Sequence, residues 1–150
     1  MSVKPSSSPK VRFQIFTDGG SRSNPGPAGV GVWIKDLLLD REVSFGVYLG
    51  KKTNNEAEYL GLLAALKWLQ KQDLTPTDSV EFYLDSKLVI EQIQKNWKIK
   101  QDHLQQLADQ CWQVTNSLPC PIKYTHVKRD KNKTADELAN LAMDLGSNLS

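Results

Sequence analysis

One stretch constrains this chain more than any other. Residues 13–33 read FQIFTDGGSRSNPGPAGVGVW. Phe13, Ile15 and Thr17 fall on one face of an extended segment, and Gln14 and Phe16 fall on the other. Aromatic and β-branched residues favour a pleated, half-buried strand, whereas a glycine pair tolerates conformations that break one. Asp18 therefore sits where the first strand is expected to end, just before Gly19-Gly20. Asn24-Pro25-Gly26-Pro27 forms a turn, and the apolar run Val30–Ile34 returns as a second strand. The whole is a hairpin with an acid exposed at its tip. Strand ends of this kind are places where a rigid scaffold presents chemistry.

The rest of the chain builds a sheet around that hairpin. Val43, Phe45, Val47 and Leu49 alternate within Arg41–Leu49, which makes a third antiparallel strand. Helical spacing then takes over, with Tyr59, Leu62, Leu63, Leu66 and Leu69 on one stripe. Asn55 is the expected N-cap of that helix, with Glu58 completing a capping box and the end near Gln72. Gly61 inside it weakens the helix by ~1 kcal/mol, which suggests close packing at that point. A fourth strand, Val80–Leu84, ends at Asp85-Ser86. Leu88, Val89, Ile93 and Trp97 mark a second helix, and Leu104 to Val114 a third. A strand over Ile122–Val127 follows, then a last helix from about Thr134 capped by Gly146. The order βββαβααβα predicts an α/β fold, a mixed five-stranded sheet flanked by helices.

Bulk properties narrow the class. A chain of 150 residues with 24% charged and 39% hydrophobic residues is an ordinary soluble single domain. No apolar run approaches the ~20 residues of a membrane span, and residues 1–10 lack the apolar core of a secretory signal, reading instead as a disordered leader before a domain at 11–147. Cys111 and Cys120 are too few for a disulfide framework or a metal cluster and are expected as buried fillers in a reducing cytoplasm. Residues 86–133 hold nine basic and four acidic side chains, a moderately basic surface that could meet phosphates.

Four acids stand at element ends. Asp18 and Asp85 end strands, and Glu58 and Asp136 lie in first helical turns. Each has a bland explanation. Glu58 fits a capping box, Asp85 can cap the following helix, Asp136 suits the helix dipole within the box Thr134–Glu137, and Asp18 suits a turn. Taken together they read differently. If the fourth strand lies parallel beside the first, Asp18 and Asp85 become neighbours, and two helix N-termini can bring Glu58 and Asp136 to the same edge. Several carboxylates in one cleft would not all ionise without a cation. Magnesium takes oxygen ligands and keeps positions for water and phosphate.

The motifs add a resemblance. Asp18-Gly19-Gly20 with its Asn-Pro-Gly turn, Thr53-Asn54-Asn55-Glu56-Ala57-Glu58, Asp85-Ser86 and Asn132-Lys133-Thr134-Ala135-Asp136 occur in that order. The set resembles the type 1 ribonuclease H family over residues 12–145. The resemblance implies that Asp18, Glu58, Asp85 and Asp136 are catalytic and bind metal, two Mg²⁺ ions with Mn²⁺ as a substitute. It implies hydrolysis of the RNA strand of an RNA/DNA hybrid, and the motif's register selects Glu58 over Glu56. It further implies that Asn24, Asn54, Asn55 and Asn132 are substrate-binding, the first three in the minor groove and Asn132 beside the acids, and that Thr53 meets a phosphate of the DNA strand.

Departures from the family pattern matter too. Ser23 stands where many members have glycine. Only Arg129-Asp130-Lys131 separates Lys128 from Asn132, which leaves no room for the long histidine-bearing loop of some members. His126 is expected to pack within its strand. The basic insertion between the middle helices is also missing, so the chain resembles the compact bacterial and archaeal form. Lys87 and Arg129 are candidate auxiliary residues, Arg129 for product release, and Lys95, Lys98 and Lys100 are candidate phosphate contacts. A cytoplasmic monomer without a membrane partner is expected. The alternative reading is a catalytically weak hybrid-binding domain of the same fold.

Overall fold

A computed structural model of the chain describes residues 9–150. The expected leader lies outside the described residues except for Pro9 and Lys10, and Lys10 already opens the first strand. Five strands form one sheet in the order β3-β2-β1-β4-β5. They are β1 (Lys10–Ser21), β2 (Gly26–Asp36), β3 (Arg41–Lys52), β4 (Asp78–Leu84) and β5 (Ile122–His126). β1, β2 and β3 pair antiparallel, while β4 lies parallel to both β1 and β5. This is the expected mixed sheet.

The alternation within β1 works as the sequence suggests. Phe13, Ile15, Val32, Ile34, Val80, Phe82 and Leu84 share a core with α1 (Asn54–Gln70), α2 (Lys87–Ile93) and α3 (Asp102–Ser117). Cys111 and Cys120 are buried free thiols in that core. A fourth helix, α4 (Lys133–Leu145), crosses the other face and ends at Gly146, which is left-handed with φ 60°. Beyond it Leu149 bridges Gly46 on β3, so the fold reaches past residue 147. Below α4 on that face, Phe16 stacks on Tyr83 with ring centroids 4.7 Å apart and lies 5.0 Å from Trp33.

Several local expectations need correction. β1 does not stop at Asp18 but pairs with β2 through Gly19, Gly20 and Ser21. The glycine there serves close approach and not strand breaking, since a Cβ on Gly19 would lie 2.2 Å from the Ala57 carbonyl oxygen. Gly61 does meet a close neighbour, with Val30 Cγ1 2.6 Å from where its Cβ would stand. The N-cap of α1 is Thr53, not Asn55, and its box partner is Glu56. Thr53 Oγ1 accepts from Glu56 N at 3.1 Å, and Glu56 Oε1 accepts from Thr53 N at 3.0 Å. α2 is only two turns long. Lys95, at φ 64°, lets Asn96 N reach the Glu91 carbonyl at 2.8 Å and Lys95 N the Gln92 carbonyl at 3.0 Å, which closes the helix end. Trp97 falls beyond that end and is 45% exposed. The box expected at Thr134 is absent, because the N-cap of α4 is Asn132, two residues earlier.

Candidate active site

The register of the two central strands builds the site. Thr17 pairs with Leu84 in parallel, so the next residues, Asp18 and Asp85, lie side by side where the β1–β4 pairing ends. Asp18 faces the same side as its antiparallel partner Gly31, over which α4 runs. The helix can pass there only because Gly31 has no side chain: a Cβ would lie 1.9 Å from the Ala135 carbonyl oxygen. α4 thereby carries Asp136 to the cleft. From the opposite face, the close fit of α1 on Gly19 brings Glu58 over the sheet end. Its Oε1 accepts from Gly19 N at 3.4 Å.

Asp18, Glu58 and Asp85 each offer a carboxylate oxygen within 4.8 Å of the others. Asp136 lines the same cleft of about 550 Å³, together with Arg129, Asn54 and Asn55. Asp18 is 6% exposed, which corrects the expectation of an exposed tip. Burial and then the neighbouring charge of Asp85 push its carboxyl up to about 8. Glu58 is raised well above the ordinary glutamate value by burial, then by Asp18 and Asp85. Its Oε2 is buried and has no hydrogen-bond partner among the described residues. Acids packed this closely hold protons that a cation would displace, and an orphaned buried carboxylate oxygen is a ligand atom in waiting. The donor set is all oxygen and fits a hard divalent cation. Glu56 is separate, its carboxyl lowered chiefly by the hydrogen bond from Thr53 N.

The amides sort into two groups. Asn24, Asn54 and Asn55 are exposed beside the cleft. Asn54 Oδ1 accepts from Ser21 N at 2.9 Å, and Asn24 Oδ1 accepts from Asn54 N at 3.0 Å. Both oxygens are engaged by main chain, which leaves the two amide NH₂ groups as donors. Thr53 keeps its hydroxyl proton for donation, since its oxygen serves the cap. Asn132 differs: it is 1% exposed, and its side chain lies beside the acids, as expected, with Nδ2 3.5 Å from Asp85 Oδ2. His126 is corrected in the opposite sense. It is exposed at the end of β5, with Nε2 3.1 Å from the Asp85 carbonyl oxygen. No pattern in the sequence signalled that contact, which depends on the β4–β5 register. Lys87 is exposed at the start of α2. Among the cleft residues, Arg22 had not been singled out; it bridges Asp144 at 2.7 Å and ties the first turn to α4.

This sheet order, with helices on both faces and acids gathered at the ends of parallel β1 and β4, defines an α/β fold of the ribonuclease H-like class. The model of the family described as reverse transcriptase-like matches residues 16–142. A bifunctional protein of Mycobacterium tuberculosis is 42% identical over 139 residues, 89% of this chain and 36% of the relative. The chain thus spans about a third of that protein. The N-terminal ribonuclease H domain of the mycobacterial protein superposes with a TM-score of 0.82 at 39% identity, covering 91% of this chain and 96% of that one. The ribonuclease H of Ruthia magnifica is 34% identical, covering 87% of this chain and 94% of its own length. LC11 ribonuclease H1, solved in complex with an RNA/DNA hybrid, gives a TM-score of 0.77 at 37% identity, with 89% of this chain and 98% of that one covered. The chain belongs to the type 1 ribonuclease H family.

Proposed function

We propose that this chain is an endonuclease that hydrolyses the RNA strand of RNA/DNA hybrids, leaving 5′-phosphate and 3′-hydroxyl ends. The observation that carries the reading is the set of three carboxylate oxygens within 4.8 Å of one another, one residue holding an unpartnered buried oxygen. Asp18, Glu58, Asp85 and Asp136 would hold two Mg²⁺ ions, or Mn²⁺ in their place. Such a pair supplies an activated water and stabilises the leaving oxygen of a phosphodiester. The chain's own residues do the rest. Asp18 and Glu58, both raised by burial and by their acidic neighbours, hold protons in the cleft that a bound cation would displace.

Substrate selection follows from the donors. A hybrid's minor groove is wide, shallow and lined with 2′-hydroxyls and base acceptors. The exposed amides of Asn24, Asn54 and Asn55 meet acceptors there, and the Thr53 hydroxyl donates to a DNA-strand phosphate. Arg129, on the cleft wall, offers a guanidinium to the departing phosphate, and Lys87 lies nearby as an auxiliary cation. The protein works as a cytoplasmic monomer in this reading; among the described residues no helix is long and apolar enough to cross a membrane. The test is a strand-labelled hybrid incubated with protein and Mg²⁺ beside single-stranded RNA, duplex RNA and duplex DNA. Cleavage confined to the RNA strand of the hybrid supports the proposal. Binding without cleavage would instead favour a hybrid-binding domain.

A further inference from the structure

Asn132 occupies a position where an asparagine ordinarily caps a helix, yet its side chain caps nothing. Nδ2 donates instead to the Thr17 carbonyl at 2.8 Å and approaches Asp85 Oδ2 at 3.5 Å. The residue's own carbonyl accepts from Asp136 N at 3.0 Å. One residue thus touches the peptide that links Thr17 to Asp18, the carboxylate of Asp85 and the main chain of Asp136. Its side-chain oxygen is buried without a partner among the described residues. A cap forgone and a buried acceptor left open both disfavour this conformation. Something else must favour it, and the shared feature of its three contacts is the acid cluster.

We propose that Asn132 is a positioning residue: its side-chain donor ties the start of α4, whose first main-chain bond holds Asp136, to the Thr17–Asp18 peptide and to Asp85, and so sets the distances among Asp18, Asp85 and Asp136. The consequence for turnover rests on the hydrolytic reading above, whereas the consequence for cation binding does not. Nearly isosteric Asn132→Leu removes the donor without adding charge, and Asn132→Ala removes the side chain. Calorimetric Mg²⁺ binding without nucleic acid should weaken at least tenfold in both variants. At a temperature well below either melting midpoint, kcat should fall at least tenfold while KM for hybrid stays within twofold. A raised KM with unchanged Mg²⁺ affinity would make Asn132 a groove contact and overturn the proposal. A lowered melting midpoint with parental Mg²⁺ affinity and kcat would also overturn it, leaving a structural residue. The parent protein supplies a check that needs no variant. Its Asn132 side-chain amide protons should exchange slowly and shift during a Mg²⁺ titration, and fast exchange with no shift would refute the role. A parent that binds Mg²⁺ but leaves hybrids intact would sink the proposed function and not this inference.

Discussion

Replacing Asp18 by asparagine should stabilise the metal-free protein, and by an amount that depends on pH. The folded Asp18 carboxyl holds its proton up to about 8, against an ordinary value of 3.8. A carboxyl raised on folding contributes relative stability that is fully present below its unfolded value and is lost as pH climbs through its folded one. The loss therefore accumulates between about pH 4 and pH 8. At ~1.4 kcal/mol per tenfold change in proton affinity, the full span sets an upper bound of ~6 kcal/mol. The cleft opens to solvent and the fold can relax, so ~1–3 kcal/mol is the expected gain for Asp18→Asn at pH 8. For a chain of this length that is roughly 2–12 °C in melting midpoint. Thermal unfolding in chelator at pH 5 and pH 8 measures it: the variant's advantage should be small at the lower pH and grow toward the higher. Adding Mg²⁺ should raise the parent's midpoint at pH 8 more than the variant's. Equal midpoints for parent and variant at pH 8, or a parent whose stability is flat between the two pH values, would refute the electrostatic account of the cleft.

Two other substitutions probe the scaffold around the acids. Gly31→Ala forces a Cβ against the Ala135 carbonyl, 1.9 Å away before any shift, so α4 must move; a stability loss of ~1–3 kcal/mol is expected, with hybrid cleavage impaired because Asp136 moves too. Unchanged unfolding and activity would mean that the helix does not fix that acid. Asn54→Ala deletes one NH₂ donor and the acceptor for Ser21 N; a lost hydrogen bond of ~1 kcal/mol predicts roughly a fivefold rise in KM with kcat nearly constant, and an altered melting midpoint with parental KM would make the residue purely structural.

The sequence made the strand order and the meeting of the acids legible for different reasons. Alternation in β1 and β4 marks their buried faces, but the parallel pairing that joins Asp18 to Asp85 is only a condition in the residue pattern, and the ordered motifs carry the expectation that the acids meet. Helix starts were less legible. Thr53-Asn54-Asn55-Glu56-Ala57-Glu58 permits capping boxes in two registers; the motif's register selects Glu58 for the cleft, but only the structure shows that Glu56 completes the cap and that α1 fits on Gly19. Asn132 was hidden for a related reason: its sequence position suggests a cap or a ligand contact, while its contacts with Thr17 and Asp85 lie 115 and 47 residues away along the chain. The end of β1 is not legible in the sequence, because glycine reads as a breaker when what Gly19 provides is room for a neighbouring helix.

The most direct measurement places the parent protein and Asp85→Asn side by side on a strand-labelled RNA/DNA hybrid, with Mg²⁺ present or chelated. The amide preserves the shape of Asp85 and removes a charge needed to hold the cation. Both proteins should fold and bind the hybrid, while only the parent with Mg²⁺ should cut, and only in the RNA strand. Cleavage by Asp85→Asn at a parental rate, or by the parent in excess chelator, would contradict the account.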